Sequence, residues 1–141
     1  MAHRILVPID GSEQAEAALD YALEEYPDGD YTVLHVVELG TGDLAAFAGM
    51  TGRVPDEGTL AEHADELLEG AKERIEAAGA TVRTDRRQGR PDRAIIQELE
   101  EGDFDLVVLG SHGREGVSRV LLGSVAEKVV RRSPVPVLVV R

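Results

Sequence analysis

The chain has 141 residues and no cysteine, and sets 27 Asp and Glu against 15 Lys and Arg for a formal charge of −12. That length suits one domain, residues 1–141, with a core of its own, and the absence of cysteine excludes a disulfide framework and a thiolate metal site and fits a reducing, cytoplasmic compartment. So acidic a surface repels nucleic acid and anionic lipid, and no apolar run is long enough to span a bilayer, so neither nucleic acid nor a membrane is an expected partner.

The basic set is 13 Arg with only Lys72 and Lys128. Lysine depletion under dense negative charge fits a halophilic source, where salt screens like charges within a few ångströms. An ordinary acidic protein is the plainer alternative. Met1 and Ala2 lead straight into an apolar run, which leaves no room for a signal peptide.

His3 to Ile9 reads as a first strand centred on Ile5, Leu6 and Val7. The turn Pro8-Ile9-Asp10-Gly11-Ser12 then feeds a helix from about Ser12 to Tyr26, with Ala15, Ala18, Leu19, Ala22 and Leu23 as its buried stripe. Asp10 falls just past the strand's C-terminal end, where it either serves a ligand or caps the helix in a box with Glu13. Tyr31 to Val37 is the second strand. Its His35 has no partner at metal spacing and reads as a packed strand histidine. Residues 38–58 are irregular and glycine-rich; a stretch this long is commonly functional or disordered. Leu44, Phe47 and Met50 could anchor it as a lid.

Thr59-Leu60-Ala61-Glu62 has the form of a capping box opening a long helix, with Leu60, Ala64, Leu67, Leu68, Ala71, Ile75 and Ala78 at helical spacing and Gly79 as its stop. Ala80 to Arg86 alternates weakly, as an edge strand does. A short helix over roughly Asp92 to Glu101 packs Ile95, Ile96 and Leu99.

The stretch from Asp105 to Val130 carries the most specific signal. Leu106 to Leu109 is apolar without interruption, which suits a strand buried on both faces. Val125, Val129 and Val130 fall at helical spacing, with Arg131 and Arg132 suiting the helix C-terminus. Between strand and helix lie Gly110, Gly113 and Gly123, followed by Ser124. Such a turn suits an anion, because glycine lets the backbone approach and a helix N-terminus presents unpaired N–H groups. Ser124 with Glu127 also reads as a capping box for that helix, whatever binds. A final strand runs from Val137 to Val140.

Strands alternating with helices imply right-handed crossovers and a parallel sheet covered on both faces. Five strands fit a doubly wound α/β fold of order 3-2-1-4-5. Its switch point lies between the first and fourth strands, where Asp10 and Gly110 meet.

The spacing from Gly110 is G-x2-G-x9-G-S, with Arg114, Glu115 and Arg119 inside it. It is neither the G-x4-G-K-[ST] loop nor the G-x-G-x-x-G fingerprint. It resembles the nucleotide-binding signature of the universal stress protein family, and the resemblance runs over nearly the whole chain. It implies an ATP site, with magnesium accompanying the nucleotide. Pro8, Ile9, Asp10 and Val36 would receive the adenosine; Gly110, Ser111, His112, Gly113, Gly123, Ser124 and Val125 would wrap the ribose and phosphates. It further implies a homodimer through Val135 to Val140 and a nucleotide-dependent stress-response switch. A weak ATPase or autophosphorylating enzyme is one alternative; a nucleotide-free interaction protein of the same fold is the other. No catalytic base stands beside a metal-holding acid in the pattern, so efficient turnover is not indicated.

Overall fold

Uninterrupted apolar runs become strands here because each is covered from both sides. The computed structural model describes residues 3–38, 57–111 and 122–141. Its strands are β1 (Arg4–Pro8), β2 (Asp30–Val37), β3 (Thr81–Gln88), β4 (Leu106–Gly110) and β5 (Val137–Val140), in the order β3-β2-β1-β4-β5. Every neighbouring pair is parallel. The described helices are α1 (Glu13–Glu25), α2 (Glu57–Ala77), α3 (Pro91–Glu101) and α4 (Ser124–Arg132). The doubly wound sheet expected from the alternation is the one observed.

Alternation along the strands divides the core in two. Ile5, Val7 and Ile9 of the first strand segment pack with Tyr31, Val33, Leu106 and Val108 under α1 and α2, which contribute Ala18, Leu19, Ala22, Leu68, Ala71 and Ile75. Leu6, Leu34, Val36, Val107 and Leu109 face α3 and α4, which contribute Ala94, Ile95, Leu99, Ala126 and Val129. The two faces differ sharply in charge. Together α1 and α2 carry 12 carboxylates against two cations, whereas α3 and α4 carry five against four. Most of the excess negative charge among these helices therefore lies on one side of the sheet.

The helix ends depart from expectation in three places. Ser12, not Asp10, caps α1: its Oγ accepts from the Ala15 N–H at 3.1 Å. Helix α2 is already running at Glu57, so Thr59 sits inside its first turn and the Thr59–Glu62 pair does not open it. Leu60 and Ala64 pack with Val37 of β2, and this burial holds the first turns of α2 without the local box. Helix α4 is capped by Gly123, leaving Ser124 exposed at its first position rather than acting as a cap. The cause is tertiary: the Gly123 N–H donates to the Ser111 carbonyl at 2.6 Å, which holds Gly123 extended. The buried stripe of α4 is also shifted, to Ala126 and Val129, and Val130 is left 44% exposed.

At its other end α1 has no basic residue in its last turn, and the Ala22 and Tyr26 carbonyls accept from the Tyr26 and Gly29 N–H groups. A residue of β2 reinforces this end. The buried Tyr31 hydroxyl shares its one proton between the carbonyls of Ala22 (2.7 Å) and Tyr26 (2.8 Å). Burial, helped by Tyr26, pushes that hydroxyl up to about 12, so it stays a donor at any physiological pH. Tyr31→Phe should cost about 1 kcal/mol, the net worth of a buried hydrogen bond, read as a lower midpoint in denaturant unfolding with an unchanged slope.

Candidate functional site

The crevice begins with a missing hydrogen bond. Along β1 the backbone groups alternate sides: the His3 carbonyl and Ile9 N–H bond to β2 residues, while the Arg4 carbonyl accepts from Asp105 beside β4. By the same alternation Pro8 faces β4, and proline has no N–H to donate. The β1–β2 register accordingly runs from Arg4 to Pro8, whereas the β1–β4 register covers only Ile5↔Leu106 and Leu6↔Val107. The two central strands thus stop pairing before their C-terminal ends, at the topological switch point.

Ile9 follows, and β2 holds it twice. Its N–H donates to the Leu34 carbonyl at 2.8 Å, and its carbonyl accepts from Nδ1 of the buried His35 at 2.8 Å. A carbonyl only accepts, so Nδ1 carries the proton in this contact. The histidine read from the sequence as a packed strand residue fixes the backbone just before Asp10. Asp10 is half-buried, and its Oδ1 accepts from the Ser12 N–H at 2.9 Å, closing a tight Asx turn. Gly11 within that turn has φ +83°, which L side chains rarely adopt, and Leu67 of α2 lies 3.5 Å from where a Cβ would sit. Asp10 is therefore aimed by its neighbours on both sides.

The opposite wall is the end of β4. Gly110 lies so close to the first turn of α1 that a Cβ there would stand 2.8 Å from the Gln14 backbone. The sequence suggested this glycine for its approach to an anion; what requires it within the described residues is its approach to α1. Ser111 is 3% exposed, its N–H donating to the Val140 carbonyl at 2.8 Å and its carbonyl accepting from Gly123. The N-terminus of α4 is thereby tethered to the end of β4. Ser124, Val125 and Ala126 open α4, where helix geometry leaves N–H groups without an intrahelical acceptor and gives a partial positive charge. Arg131 and Arg132 at its far end favour the same dipole.

Of the residues expected in the site, Pro8, Ile9 and Asp10 come from the end of β1, and Gly110, Ser111, Gly123, Ser124 and Val125 from the β4–α4 connection. Val36 is buried in the core on the α3 side, so only its backbone is available at the end of β2. His112 and Gly113 lie outside the described residues, as do Arg114, Glu115, Arg119 and the anchors Leu44, Phe47 and Met50. Sequence reasoning missed Gln14 and undervalued His35. Gln14 is polar and carries no motif, and only the packing of α1 against β4 gives it a role. A carboxylate just beyond β1 and a helix N-terminus just beyond the neighbouring β4 suit a ligand with a polar neutral end and an anionic end. Among the described residues, no group of three or more His, Cys, Asp or Glu could hold a metal ion.

Compared with known proteins, residues 1–141 match the family model described as the universal stress protein family. Universal stress protein MJ0577 of Methanocaldococcus jannaschii is 33% identical over 155 residues, covering 100% of this chain and 96% of that protein. The solved structure of hypothetical protein MJ0577 superposes with a TM-score of 0.82 at 31% identity, covering 99% of this chain and 96% of that one. A universal stress protein solved in complex with cAMP superposes at 0.69 with 26% identity, covering 99% and 97%.

The contact at Gly110 makes a direct prediction. Gly110→Ala should destabilise the fold by about 2 kcal/mol, the usual cost of an overpacked core position, because the Gln14 backbone cannot yield as a flexible side chain would. Denaturant unfolding checks it; wild-type stability would mean that α1 shifts freely.

Proposed function

The chain belongs to the universal stress protein family, and we propose that it binds ATP, accompanied by magnesium, and acts as a nucleotide-dependent stress-response switch. The observation that carries this reading is the convergence of two segments far apart in sequence on one crevice. The end of β1, with Asp10, and the β4–α4 connection, with the G-x2-G-x9-G-S spacing, flank the point where β1 and β4 cease to pair. A relative of the same fold is described in complex with cAMP, an adenine nucleotide, which supports the same ligand class here.

In this reading residues 1–141 act as one nucleotide-binding domain. Asp10 takes the ribose hydroxyls, since an aimed, half-buried carboxylate accepts two such donors well. The backbone of Val36 borders the adenine. The α4 N-terminus and Gly110, Ser111, His112, Gly113, Gly123, Ser124 and Val125 take the phosphates, where a helix start favours anions. Pro8 and Ile9 receive the adenosine with Asp10, Ile9 being held in place by its two backbone bonds to β2. The site binds and signals; no step of turnover is assigned to it.

The signal is proposed to pass through assembly. β5 is an edge strand whose four residues are all part-exposed, a template for pairing with a second copy through Val135 to Val140. The excess of carboxylates on α1 and α2 disfavours association through that face, because like charges would meet. The acidic, lysine-poor composition further supports a cytoplasm rich in salt.

The decisive experiment is gentle purification in high potassium chloride, denaturation, and mass spectrometry of whatever nucleotide is released. Near-stoichiometric ATP is expected. Release of none, with no uptake of Mg-ATP in equilibrium dialysis, would overturn the reading and leave the fold standing. Asp10→Ala should weaken ATP binding about tenfold or more, the cost of a lost charge-assisted hydrogen bond, while Ser12 keeps α1 capped. Gly113→Val should abolish binding in a protein that still unfolds cooperatively; unchanged affinity in calorimetry would remove the phosphate assignment.

A further inference from the structure

Outside the crevice, the two edges of the sheet are finished differently. Along β3 the backbone groups alternate sides, and the Gly89 N–H, which donates to the Val37 carbonyl at 3.0 Å, fixes which way they turn. Thr81, Arg83, Asp85 and Arg87 therefore address β2, while Val82, Thr84, Arg86 and Gln88 present their N–H and carbonyl groups to the open edge. A row of such groups along an eight-residue strand is a template for another strand. Here it is interrupted. Asp85 Oδ1 accepts from the outward Arg86 N–H at 2.8 Å. Just before the strand, the Ala80 N–H, which faces the same way, is taken by the Ile75 carbonyl at 3.2 Å.

Side chains strap the capped position from both layers. Arg86 reaches over one face of the sheet to α2, donating to Asp65 Oδ1 at 2.9 Å and to the Ala61 carbonyl at 3.3 Å. Arg87 reaches over the other face to α3, where its Nε donates to Glu98 Oε1 and its Nη2 to Glu101 Oε2, both at 2.6 Å. Glu98 is only 7% exposed, so this second strap is anchored inside the protein. At the opposite edge the finish is bare. The Pro136 and Val140 carbonyls accept from Val107 and Ser111, so Val137 and Val139 of β5 face outward by the same alternation. No residue from Val137 to Val140 has a charged or polar side chain that could cap its neighbour.

We propose that Asp85 closes the β3 edge to strand addition, so that a second copy of this chain joins the sheet at β5 and not at β3. A strand docking on β3 would bring a carbonyl to the Arg86 N–H and would meet the carboxylate oxygen already there. Displacing that oxygen exchanges a charge-assisted hydrogen bond for a neutral one about half as strong. It also leaves the Asp85 charge at the new interface without its partner, which is costly away from water. With both edges open, copies joining β3 to β5 would grow into an open chain; with one edge open, they stop at a pair. Pairing at β5 rests on the assembly proposed above, whereas the closure of β3 stands on the bond to Arg86.

The test compares the full-chain wild type with Asp85→Val and Asp85→Asn by size-exclusion chromatography with light scattering, in constant high salt, over a range of protein concentrations. Valine removes the cap and suits a strand. Asp85→Val should therefore exceed the wild type in mass about twofold or more at the highest concentration, since each new contact adds a whole copy. Asparagine keeps an acceptor for the Arg86 N–H, so Asp85→Asn should keep the wild-type mass. The mass of the wild type itself reports pairing at β5; only the difference between it and Asp85→Val reports β3. Amide hydrogen exchange on the wild type carries the test if the valine variant does not fold: the Arg86 N–H should exchange more slowly than the outward N–H groups of Val82 and Thr84. Asp85→Val at wild-type mass throughout, Asp85→Asn as heavy as Asp85→Val, or an Arg86 amide exchanging as fast as those of Val82 and Thr84 would overturn the closure.

Discussion

The architecture depends on how β1 is held. It is the central strand, buried on both faces and paired on both sides at its start, and its hydrogen bonds toward β4 end early because Pro8 has no N–H to give. Toward β2 the opposite holds. Pairing continues to Pro8, and Ile9 is then clamped by Leu34 and His35. One strand end is thus fixed firmly on one side and released on the other. That asymmetry ends the β1–β4 pairing at the switch point, with Asp10 just beyond it in its turn with Ser12.

The rest of the site is arranged by packing against this strand end. Helix α1 starts immediately after it, capped by Ser12, and presses Gln14 onto Gly110. The end of β4 is held in turn by Val140 on one side and by Gly123 on the other. A ligand held between Asp10 and the start of α4, as proposed, would touch two segments that are both packed against α1. In the proposed switch its occupancy would bear on β4 and so on the edge strand β5 beside it. A ligand shifts such an equilibrium only by its difference in affinity between the two arrangements.

Charge is handled locally even though the total is strongly negative. Arginine on β3 is spent on individual carboxylates: Arg86 on Asp65 of α2 at 2.9 Å, and Arg87 on Glu98 and Glu101 of α3. Arg74 pairs α2 with Asp20 of α1. Exposed pairs of this kind contribute little singly. The buried one at Glu98 differs, since an acid kept from water is costly to ionise and so responds to pH.

Composition and periodicity made the parallel α/β class and most element positions legible, because strands buried on two faces need apolar runs; the order 3-2-1-4-5 was one that five such strands fit, and the pairing of β1 with both β2 and β4 decided it. Val137–Val140 as a strand and the adjacency of β1 and β4 were both legible in this way. The helix starts were not. Thr59–Glu62 and Ser124–Glu127 have the local form of capping boxes, yet α2 begins upstream and α4 is set by the tether from Ser111 to Gly123. Local patterns state a preference worth about 1 kcal/mol, which a single tertiary hydrogen bond can match. The same holds for Gly110, His35 and Glu98. Each is ordinary in the sequence, and only the packing of α1, the end of β1 and the β3 edge against them decided what they do.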